Sequence, residues 1–301
     1  MSRFPFPMPG QRRMRGRRPM FGGGGGGGGG LKLRLIIALA IAAFALFSYY
    51  GNPGDVNQIT GERERVAMTE EAQEIQLGLQ AAPQMVEQHN GPSRDRRASM
   101  HVVQVGERLL RALDAQLAKA GKQNPYREAF QFTLLADPRT VNAFALPGGP
   151  VFITEALYSR LETEGQLAGV LAHEIGHVIE RHGNKRMAKQ SLFQGLAAAG
   201  GVAGGSMESA RMSQMVAQVV SMKYGREDEL ESDRWGVKLT ALAGYDPRSM
   251  VGVMEILDEA TKGRAPPEML STHPKPANRV AYIKQVIEHE FPNGVPDGLR
   301  P

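Results

Sequence analysis

The longest apolar stretch of the chain lies close to its N-terminus. No charged residue occurs over residues 35–54, and residues 35–47 (LIIALAIAAFALF) are continuously apolar. The segment 31–50 has 20 residues, which is about the length at which a helix crosses the hydrocarbon core of a bilayer. It ends in two tyrosines, a residue type that is enriched at the membrane–water interface. We therefore predict a membrane anchor over residues 31–50.

Beyond the anchor, apolar positions recur with two different periods. Helical spacing over residues 69–89 and 102–118 predicts two helices, the first with a break near Pro83. Alternation of apolar and polar residues over 130–135 predicts a strand. Because helical segments predominate and strands are short, the pattern favours an α+β fold that is mostly helical with a small β-sheet.

A second signal for strands surrounds the sequence PGGP, residues 147–150. Apolar runs flank it at residues 141–146 and 151–154, which is the pattern of a β-hairpin. Pro150 has no amide hydrogen to give to a neighbouring strand, so we expect it at the start or on the edge of its strand.

The charge of the chain is distributed unevenly. Residues 1–34 hold eight basic and no acidic side chains, and nine consecutive glycines occupy residues 22–30. The remaining 267 residues carry 28 basic and 31 acidic side chains, a net charge of −3. A basic globular face that would grip phosphates is not indicated, so we expect no nucleic-acid partner. The chain has no cysteine, which excludes disulfide scaffolds and Cys-ligated metal sites.

The basic residues before the anchor predict its orientation. By the positive-inside rule, the N-terminus is cytoplasmic and the bulk of the chain is exported, most simply across a bacterial inner membrane. Two alternatives stay open: a cleaved signal peptide, because Ala43-Phe44-Ala45 resembles a cleavage site, and an organelle transit sequence. The Arg-rich tail would contact anionic lipid, with nucleic acid as its alternative partner.

These patterns divide the chain into five segments. One of them, residues 69–290, is long enough to bury a hydrophobic core of its own. The segments are a disordered Arg-rich and polyglycine tail (1–30), the anchor (31–50), a linker (51–68), one sizeable domain (69–290) and a C-terminal tail (291–301).

Candidate chemistry lies on a further predicted helix. The sequence TEGQ, residues 163–166, is a capping-box pattern, and apolar residues recur at helical spacing behind it until Gly183. The sequence HEIGH on this helix is an HExxH motif. His173 and His177 project from one face, so both imidazoles can bind one zinc ion, and Glu174 lies beside the open coordination position as general base.

A catalytic zinc ion needs a third protein ligand. Metzincin peptidases would require a histidine at position 183, which is Gly183 here. We therefore expect a carboxylate from a second helix, in the sequence YGREDELESDRWG. Glu229 is favoured because Asp233 lies four residues further on, where it can hydrogen-bond the far nitrogen of a ligating histidine. The alternatives are its neighbours Glu227, Asp228 and Glu231.

Several motifs together resemble a known family. They are EEAQEIQLGLQAAPQ, NAFALPGGPVFITEAL, HEIGHVIERH, YGREDELESD and STHPKPANRVAYI. Through them the chain resembles the HtpX-like, CAAX-prenyl-protease-related gluzincin zinc metallopeptidases over nearly all of residues 69–287. The likeness is greater to the compact exported members, because only one membrane span is evident. It implies a gluzincin-type domain over residues 69–290 that hydrolyses unfolded or damaged proteins in protein quality control.

The resemblance also implies roles for individual residues. Zinc would be bound by His173, His177 and Glu229, with Glu174 as general base and Asp233 behind the ligands. His273 matches a family histidine near the zinc, where it would stabilise the oxyanion. In the family, the hairpin presents an edge strand to an extended substrate. The residues expected to contact substrate are therefore Asn142, Val151, Phe152, Ile153 and Arg279.

The segment between the two zinc-binding motifs allows two interpretations. Residues 192–207 are uncharged and hold five glycines, and methionine and valine recur at helical spacing over 212–220. The segment is either a helical pair packed on the core or a mobile, Met-rich lid over the zinc cleft.

A different class of function is the alternative to the endopeptidase. A zinc-stabilised binding or chaperone module would capture extended polypeptides without cutting them. The intact Glu174 favours the enzyme, because a carboxylate at that position is not needed merely to bind metal.

Overall fold

The computed structural model describes residues 27–204, 224–261, 269, 273 and 278–301, which are mostly helical. Its helices are α1 (Gly27–Tyr50), α2 (Glu71–Gln88), α3 (Arg96–Lys119), α4 (Glu155–Tyr158), α5 (Glu164–Ile179), α6 (His182–Gly204), α7 (Arg226–Leu242), α8 (Ser249–Thr261) and α9 (Arg279–Glu290). Its strands are β1 (Asp55–Val56), β2 (Arg63–Glu64), β3 (Gln131–Leu135), β4 (Ala143–Ala145) and β5 (Pro150–Thr154). The predicted α+β class, mostly helical with small sheets, is confirmed.

Helix α5 carries the HExxH motif through the centre of the domain. Thr163 caps it, because its hydroxyl accepts from the Gln166 amide (3.2 Å) and the Gln166 side-chain oxygen accepts from the Thr163 amide (3.4 Å). Every residue from 165 to 179 is buried, since α3, α7, α8 and β4 pack around the helix. A helix whose apolar residues are distributed over every side requires such a position.

A three-stranded sheet lies beside α5 in the order β3-β5-β4. Strand β3 pairs with β5 in parallel, with Gln131 opposite Pro150. Strand β4 pairs with β5 antiparallel, with Ala143 opposite Ile153. The hairpin predicted around the PGGP sequence is therefore confirmed.

The order of the strands corrects one prediction. Val151, Phe152 and Ile153 were expected on an edge strand, but β5 lies between β3 and β4, and both of its edges are paired. All five residues of β5 are buried, so this strand cannot receive a substrate strand. The hairpin pattern shows only which strands follow one another. It does not show that β3 covers the other side of β5.

The hairpin turn packs tightly on α2. Gly148 has a φ of +77°, and a Cβ on it would lie 2.5 Å from the Cα of Ile75 in α2. A side chain is excluded here both by the left-handed backbone and by the contact. The glycine in the turn therefore fixes the position of α2 against the sheet.

Helix α2 is continuous where the sequence predicts a break. It contains Pro83 within its length of 18 residues. Proline removes the hydrogen bond to the carbonyl four residues earlier, at Leu79. Both residues are exposed, so water can solvate that carbonyl and the helix tolerates the proline.

Helix α1 has the length and composition of a membrane span. Its segment Gly30–Tyr50 has 21 residues, a mean hydropathy of 2.1 in its most apolar part and only 11% of that part buried. Phe44 and Phe47 are 73% and 75% exposed. An apolar surface of this extent on a helix is unfavourable in water and favourable in lipid.

Residues 51–68, expected to be a linker, fold onto the end of α5. Strands β1 and β2 form a short antiparallel pair there. The Asn57 side-chain amide donates to the Ile179 carbonyl (2.8 Å), and Asp55 accepts from Arg181 (2.7 Å). These polar contacts across the chain hold the segment, and hydrophobic periodicity gives no sign of them.

The C-terminal residues 291–301, expected to be a tail, also contact the domain. The Gly165 amide in α5 donates to the Pro301 carbonyl (2.8 Å), and the Asp246 amide donates to the Arg300 carbonyl (2.7 Å). The last residues therefore satisfy an amide at the start of the central helix.

We predict that Glu180, which follows α5, destabilises the fold as the pH rises. It is buried, Trp235 donates to its Oε1 (2.5 Å), and Oε2 has no hydrogen-bond partner among the described residues. Burial raises its pKa from 4.5 to about 7, against the opposing effects of Trp235 and Lys185. The folded chain therefore keeps a proton that the unfolded chain releases. This contribution to stability is fully present below pH 4.5 and is lost as the pH rises through about 7.

Glu180→Gln keeps an acceptor for Trp235 and removes the titration. We expect the variant to match the wild type near pH 5 and to exceed its stability near pH 8 by on the order of 1–3 kcal/mol. Thermal unfolding of the full chain in detergent measures this, with Glu62→Gln at an exposed position as control. The same pH dependence in wild type and Glu180→Gln would contradict the prediction.

Candidate metal centre

Three side chains from α5 and α7 converge on one point. The Nε2 atoms of His173 and His177 are 3.1 Å apart. Glu229 places Oε2 3.6 Å from Nε2 of His173 and Oε1 3.6 Å from Nε2 of His177. The four-residue spacing puts both histidines on one face of α5, and α7 packs against that helix.

This set of donors fits zinc. With bond lengths of about 2.0–2.1 Å in a tetrahedral site, neighbouring ligand atoms lie roughly 3.3 Å apart, and the observed separations of 3.1 and 3.6 Å lie on either side of that value. With His273, four buried residues offer ligand atoms within 4.8 Å of one another. Buried imidazoles and a carboxylate this close are well matched to a shared cation, which offsets their desolvation.

A carboxylate and an arginine orient His173 from the side of its Nδ1 atom, away from the other ligands. Asp233 Oδ1 lies 3.0 Å from Nδ1 of His173, so Nδ1 carries the hydrogen and Nε2 keeps its lone pair for a metal. Arg279 donates to both oxygens of Asp233, from Nε (2.7 Å) and Nη2 (2.8 Å). Its Nη1 lies 3.0 Å from Oε2 of Glu229. The guanidinium therefore fixes the two carboxylates together.

His177 has a different partner, the histidine that begins α6. Its Nδ1 lies 2.9 Å from Nδ1 of His182, and Nε2 of His182 lies 2.9 Å from Oε2 of Glu231. A carboxylate only accepts, so Nε2 of His182 carries the hydrogen. Burial lowers the pKa of His182, so the ring is neutral and its Nδ1 accepts from His177. This leaves the lone pair of His177 on Nε2, facing Glu229.

Glu174 lies next to these ligands and has no hydrogen-bonded partner among the described residues. It is buried, and neither of its oxygens accepts a hydrogen bond from the part of the chain that the structure describes. Its Oε1 is 3.9 Å from Nε2 of His273. Burial raises the pKa of Glu174, against the opposing effects of His273 and His173. A carboxylate in these surroundings is a stronger base than in water, which suits it to accept a proton.

Two further rings lie against the histidine pair. His273 donates from Nδ1 to Oε1 of Glu229 (3.0 Å). Tyr224 stacks on His177 with ring centroids 4.1 Å apart, and Arg186 lies over the Tyr224 ring at 4.6 Å. The ligands and Glu174 are buried, so a polypeptide reaches them only after part of the chain moves.

The sequence of this domain matches a family of known chemistry. Residues 104–287, more than half of the chain, match Peptidase family M48. The chain belongs to peptidase family M48. M48 metallopeptidases use zinc, and the buried histidine and glutamate side chains described above are a suitable group to bind it.

Several M48 relatives share about half of the chain. The beta-barrel assembly-enhancing protease of Escherichia coli (strain K12) is 34% identical over 170 residues, 52% of this chain and 34% of its own length. The mitochondrial metalloendopeptidase OMA1 of Arabidopsis thaliana is 32% identical over 152 residues, 50% of this chain and 30% of its own. Metalloprotease LoiP of E. coli (strain K12) is 27% identical over 150 residues, 48% and 58% of the two chains. The chain thus spans about a third of the length of the beta-barrel assembly-enhancing protease.

The structure brings His173, Glu174, His177 and Glu229 together with Asp233 and His273, as the motifs suggest. It adds His182, which the motif analysis did not include, and Glu231, which was an alternative to Glu229 as third ligand. Arg181 has a φ of +52°, which ends the run of α5, so helical periodicity does not carry over to His182. The only sign of this contact in the sequence was that another histidine, His182, follows His177 after five residues.

The two predicted substrate contacts outside β5 are buried, and a role of Asn142 in substrate binding stays a prediction. Arg279 is 1% exposed and its guanidinium already pairs with Asp233 and Glu229, so it positions the ligands rather than facing substrate. Asn142 is buried before β4, where its amide hydrogen is donated to the Thr154 hydroxyl (3.2 Å). Of the predicted lid, residues 192–204 belong to α6, and the rest lies outside the described residues.

We predict that His182→Ala weakens zinc binding by about 10- to 100-fold, because His177 loses the partner that selects its tautomer. Competition with a chromophoric chelator measures the zinc affinity independently of activity. His289→Ala, at an exposed position, is the matched control. Thermal unfolding in excess chelator checks that both variants fold. Unchanged zinc affinity in a folded His182→Ala variant would show that His182 does not orient the ligand.

Proposed function

We propose that this chain is a zinc-dependent endopeptidase, anchored in a membrane by α1, that hydrolyses peptide bonds in unfolded or damaged proteins. The observation that carries the proposal is Glu174, a buried carboxylate beside three zinc-type ligands. A metal site that only stabilised the fold would not need it, and leaving a carboxylate buried without a hydrogen bond is costly.

The residues of the site divide the work of hydrolysis. His173, His177 and Glu229 would hold zinc, which would supply a Lewis acid for the scissile carbonyl and lower the pKa of a water molecule. Glu174 accepts the proton of the attacking water and delivers it to the leaving amine. His273, when protonated, donates from Nε2 to the carbonyl oxygen as negative charge develops on it.

The edge of β4 is the surface on which we propose that a substrate lies. In an antiparallel pair, every second residue of β4 directs its backbone amide and carbonyl toward β5. The backbone hydrogen bonds that Asn142 and Leu146 make with Thr154 and Pro150 show that these two residues point toward β5. The amide and carbonyl groups of Ala143 and Ala145 therefore point away from β5. Ala143 is buried and Ala145 is half-buried, so an extended chain can add to this edge at Ala145, next to α5, which packs against β4. Main-chain pairing selects unfolded segments, because folded proteins rarely offer a free strand.

The proposed class of substrate also draws on the relatives. One of them is named for enhancing β-barrel assembly, and the others are named as a metalloendopeptidase and a metalloprotease. Because the chain covers only a third of the first of these, its own substrates and partners are a proposal. Action on proteins that have not completed folding is consistent with these names and with the edge of β4.

The placement in a membrane follows from α1. The exposed apolar surface of this helix fits lipid, and the basic residues before it favour a cytoplasmic N-terminus with the catalytic domain on the exported side. A bacterial inner membrane, with the domain on its extracytoplasmic face, is the simplest setting. Unfolded proteins and lipid are then the partners that the chain meets.

We expect Glu174→Gln to abolish proteolysis without loss of zinc. The full chain in detergent is incubated with fluorescein-labelled casein, and the rate of the variant should fall by on the order of 10²–10⁴-fold, since general base catalysis is lost. Metal analysis should give one zinc per chain for both proteins. His289→Ala is the control for a substitution away from the site.

Two outcomes would contradict the proposal. Equal rates for wild type and Glu174→Gln would remove Glu174 from the reaction. No cleavage by either protein, with zinc bound and labelled casein retained, would favour the binding or chaperone module.

A second prediction concerns the edge of β4. Ala145→Pro removes an amide hydrogen that points away from β5, and we expect KM for an extended peptide to rise by roughly 5- to 10-fold from the loss of about 1 kcal/mol of hydrogen bonding. Ala145→Ser keeps the amide and is the matched control. Circular dichroism and zinc content show whether the hairpin and the site are intact. An unchanged KM in an intact Ala145→Pro variant would place the substrate elsewhere.

A further inference from the structure

Helix α6 runs back along the membrane anchor. Near its start, Asn184 accepts from the amide of Ala67 (2.7 Å), a residue that lies beyond the end of α1. Eleven residues later, Gly195 lies against Ala45 within α1, so closely that a Cβ on Gly195 would be 2.7 Å from the Ala45 Cβ. The two helices are therefore antiparallel, and the C-terminal half of α6 lies beside the apolar part of α1.

The charged residues of α6 all lie before the part of the helix that contacts the apolar segment of α1. Lys185, Arg186 and Lys189 lie in its first half, and residues 190–204 carry no charge. On α1, residues 35–50 are likewise uncharged. The uncharged half of α6 thus lies alongside the segment of α1 that fits a bilayer. Its side away from α1 includes Phe193, which is 36% exposed.

The residues at the contact are small. Ala38 and Ala45 of α1 are buried, and Gly195 and Ala199 lie four positions apart on α6, with Ala199 buried. Small residues at this spacing allow close packing between helices in membranes, where apolar side chains alone give no driving force. In water, glycine costs about 1 kcal/mol relative to alanine in a helix. Residues 195–204 contain four glycines and are nevertheless helical, which lipid favours because unpaired backbone groups are costly there.

The level of the membrane surface is marked by polar and aromatic side chains. Arg65 lies over the rings of Tyr49 and Tyr50, at 5.8 and 5.5 Å, where α1 ends. Lys189 is exposed on α6. A cavity of about 430 Å³ between the helices is apolar toward Ile41, Phe44 and Leu192 and polar toward Ser48, Asn52 and Arg65. Such a gap matches a lipid with its headgroup toward Arg65.

We propose that residues 190–204 of α6 lie in the membrane beside α1, in contact with lipid, and hold the metal centre close to the bilayer surface. The inference rests on the proposed anchoring by α1. His182, seven residues before Lys189, hydrogen-bonds the ligand His177, and this part of α6 is about 10 Å long at about 1.5 Å per residue. The substrates within reach are therefore unfolded segments of membrane-associated proteins close to the bilayer.

Spin labels on single cysteines test the position of α6, because the chain has no cysteine of its own. The full chain is reconstituted into liposomes of phosphatidylethanolamine and phosphatidylglycerol. Labels are placed at Ala198→Cys on the exposed side of α6, Phe47→Cys on α1 and Val103→Cys, a 42% exposed position on α3. We expect Ala198→Cys to resemble Phe47→Cys, with a ratio of oxygen to nickel-chelate accessibility several-fold higher than that of Val103→Cys.

The three labels distinguish a failure of the inference about α6 from a failure of the proposed anchoring by α1. If Phe47→Cys reports lipid and Ala198→Cys reports water, α1 anchors the chain and the inference about α6 is overturned. If both report water, the anchor itself fails. Cleavage of labelled casein by the same proteins is measured separately, so neither result is confused with a loss of peptidase activity.

The proximity of the site to the membrane has its own test. Two substrates carry the same unfolded segment joined to a lipid by a linker. The linker of the first has about 5 residues and reaches roughly 16 Å from the bilayer, and the linker of the second has about 50 residues and reaches much farther. We expect the reconstituted enzyme to cut the near segment several-fold faster, and both segments equally once detergent dissolves the liposomes. Equal rates in the intact liposomes would overturn the proposed class of substrate.

Discussion

The structure depends on the burial of ionisable side chains inside the helical core. Helix α5 is enclosed on all sides, so His173, His177 and Glu174 are removed from water together with Glu229, Asp233 and Arg279. Charges in such a position are stable only when each meets an opposite charge or a hydrogen bond. The pairs of Arg279 with Asp233 and Glu229 meet this need. Glu174 differs, because its oxygens accept no hydrogen bond from the described residues and its nearest cationic group is His273 at 3.9 Å.

The two histidines are oriented by different hydrogen-bond partners, which lie on other helices of the domain. His173 depends on Asp233 of α7 and, through it, on Arg279 of α9. His177 depends on His182 of α6 and, through it, on Glu231 of α7. Three helices besides α5 thus set the positions of the two imidazoles. Since α6 also packs on α1, the same helix links a metal ligand to the helix that we propose as the membrane anchor.

The sheet contributes buried side chains to the core, among them Val151 and Ile153 of β5. Strand β5 is fully buried between its neighbours, which makes it the rigid support of the hairpin. Strand β4 has a partner on one side only within the described sheet, and it packs beside α5. A substrate that pairs with β4 would therefore run past the metal centre without disturbing the pairing of the sheet. The metal ligands are buried, so a substrate on β4 would reach them only if the chain around them moves.

By itself, the sequence determined what local spacing can encode. The apolar run of α1, the capped helix with His173 and His177 and the hairpin around the PGGP turn each depend on residues a few positions apart. Glu229 was also within reach, because Asp233, which pairs with the ligand His173, lies one helical turn away from it. Only the tertiary structure decided that β3 covers β5, that residues 51–68 fold onto Ile179, that Arg279 lies behind the ligands and that His182 contacts His177. These contacts join residues from separate elements, and their distances depend on packing that no local period records.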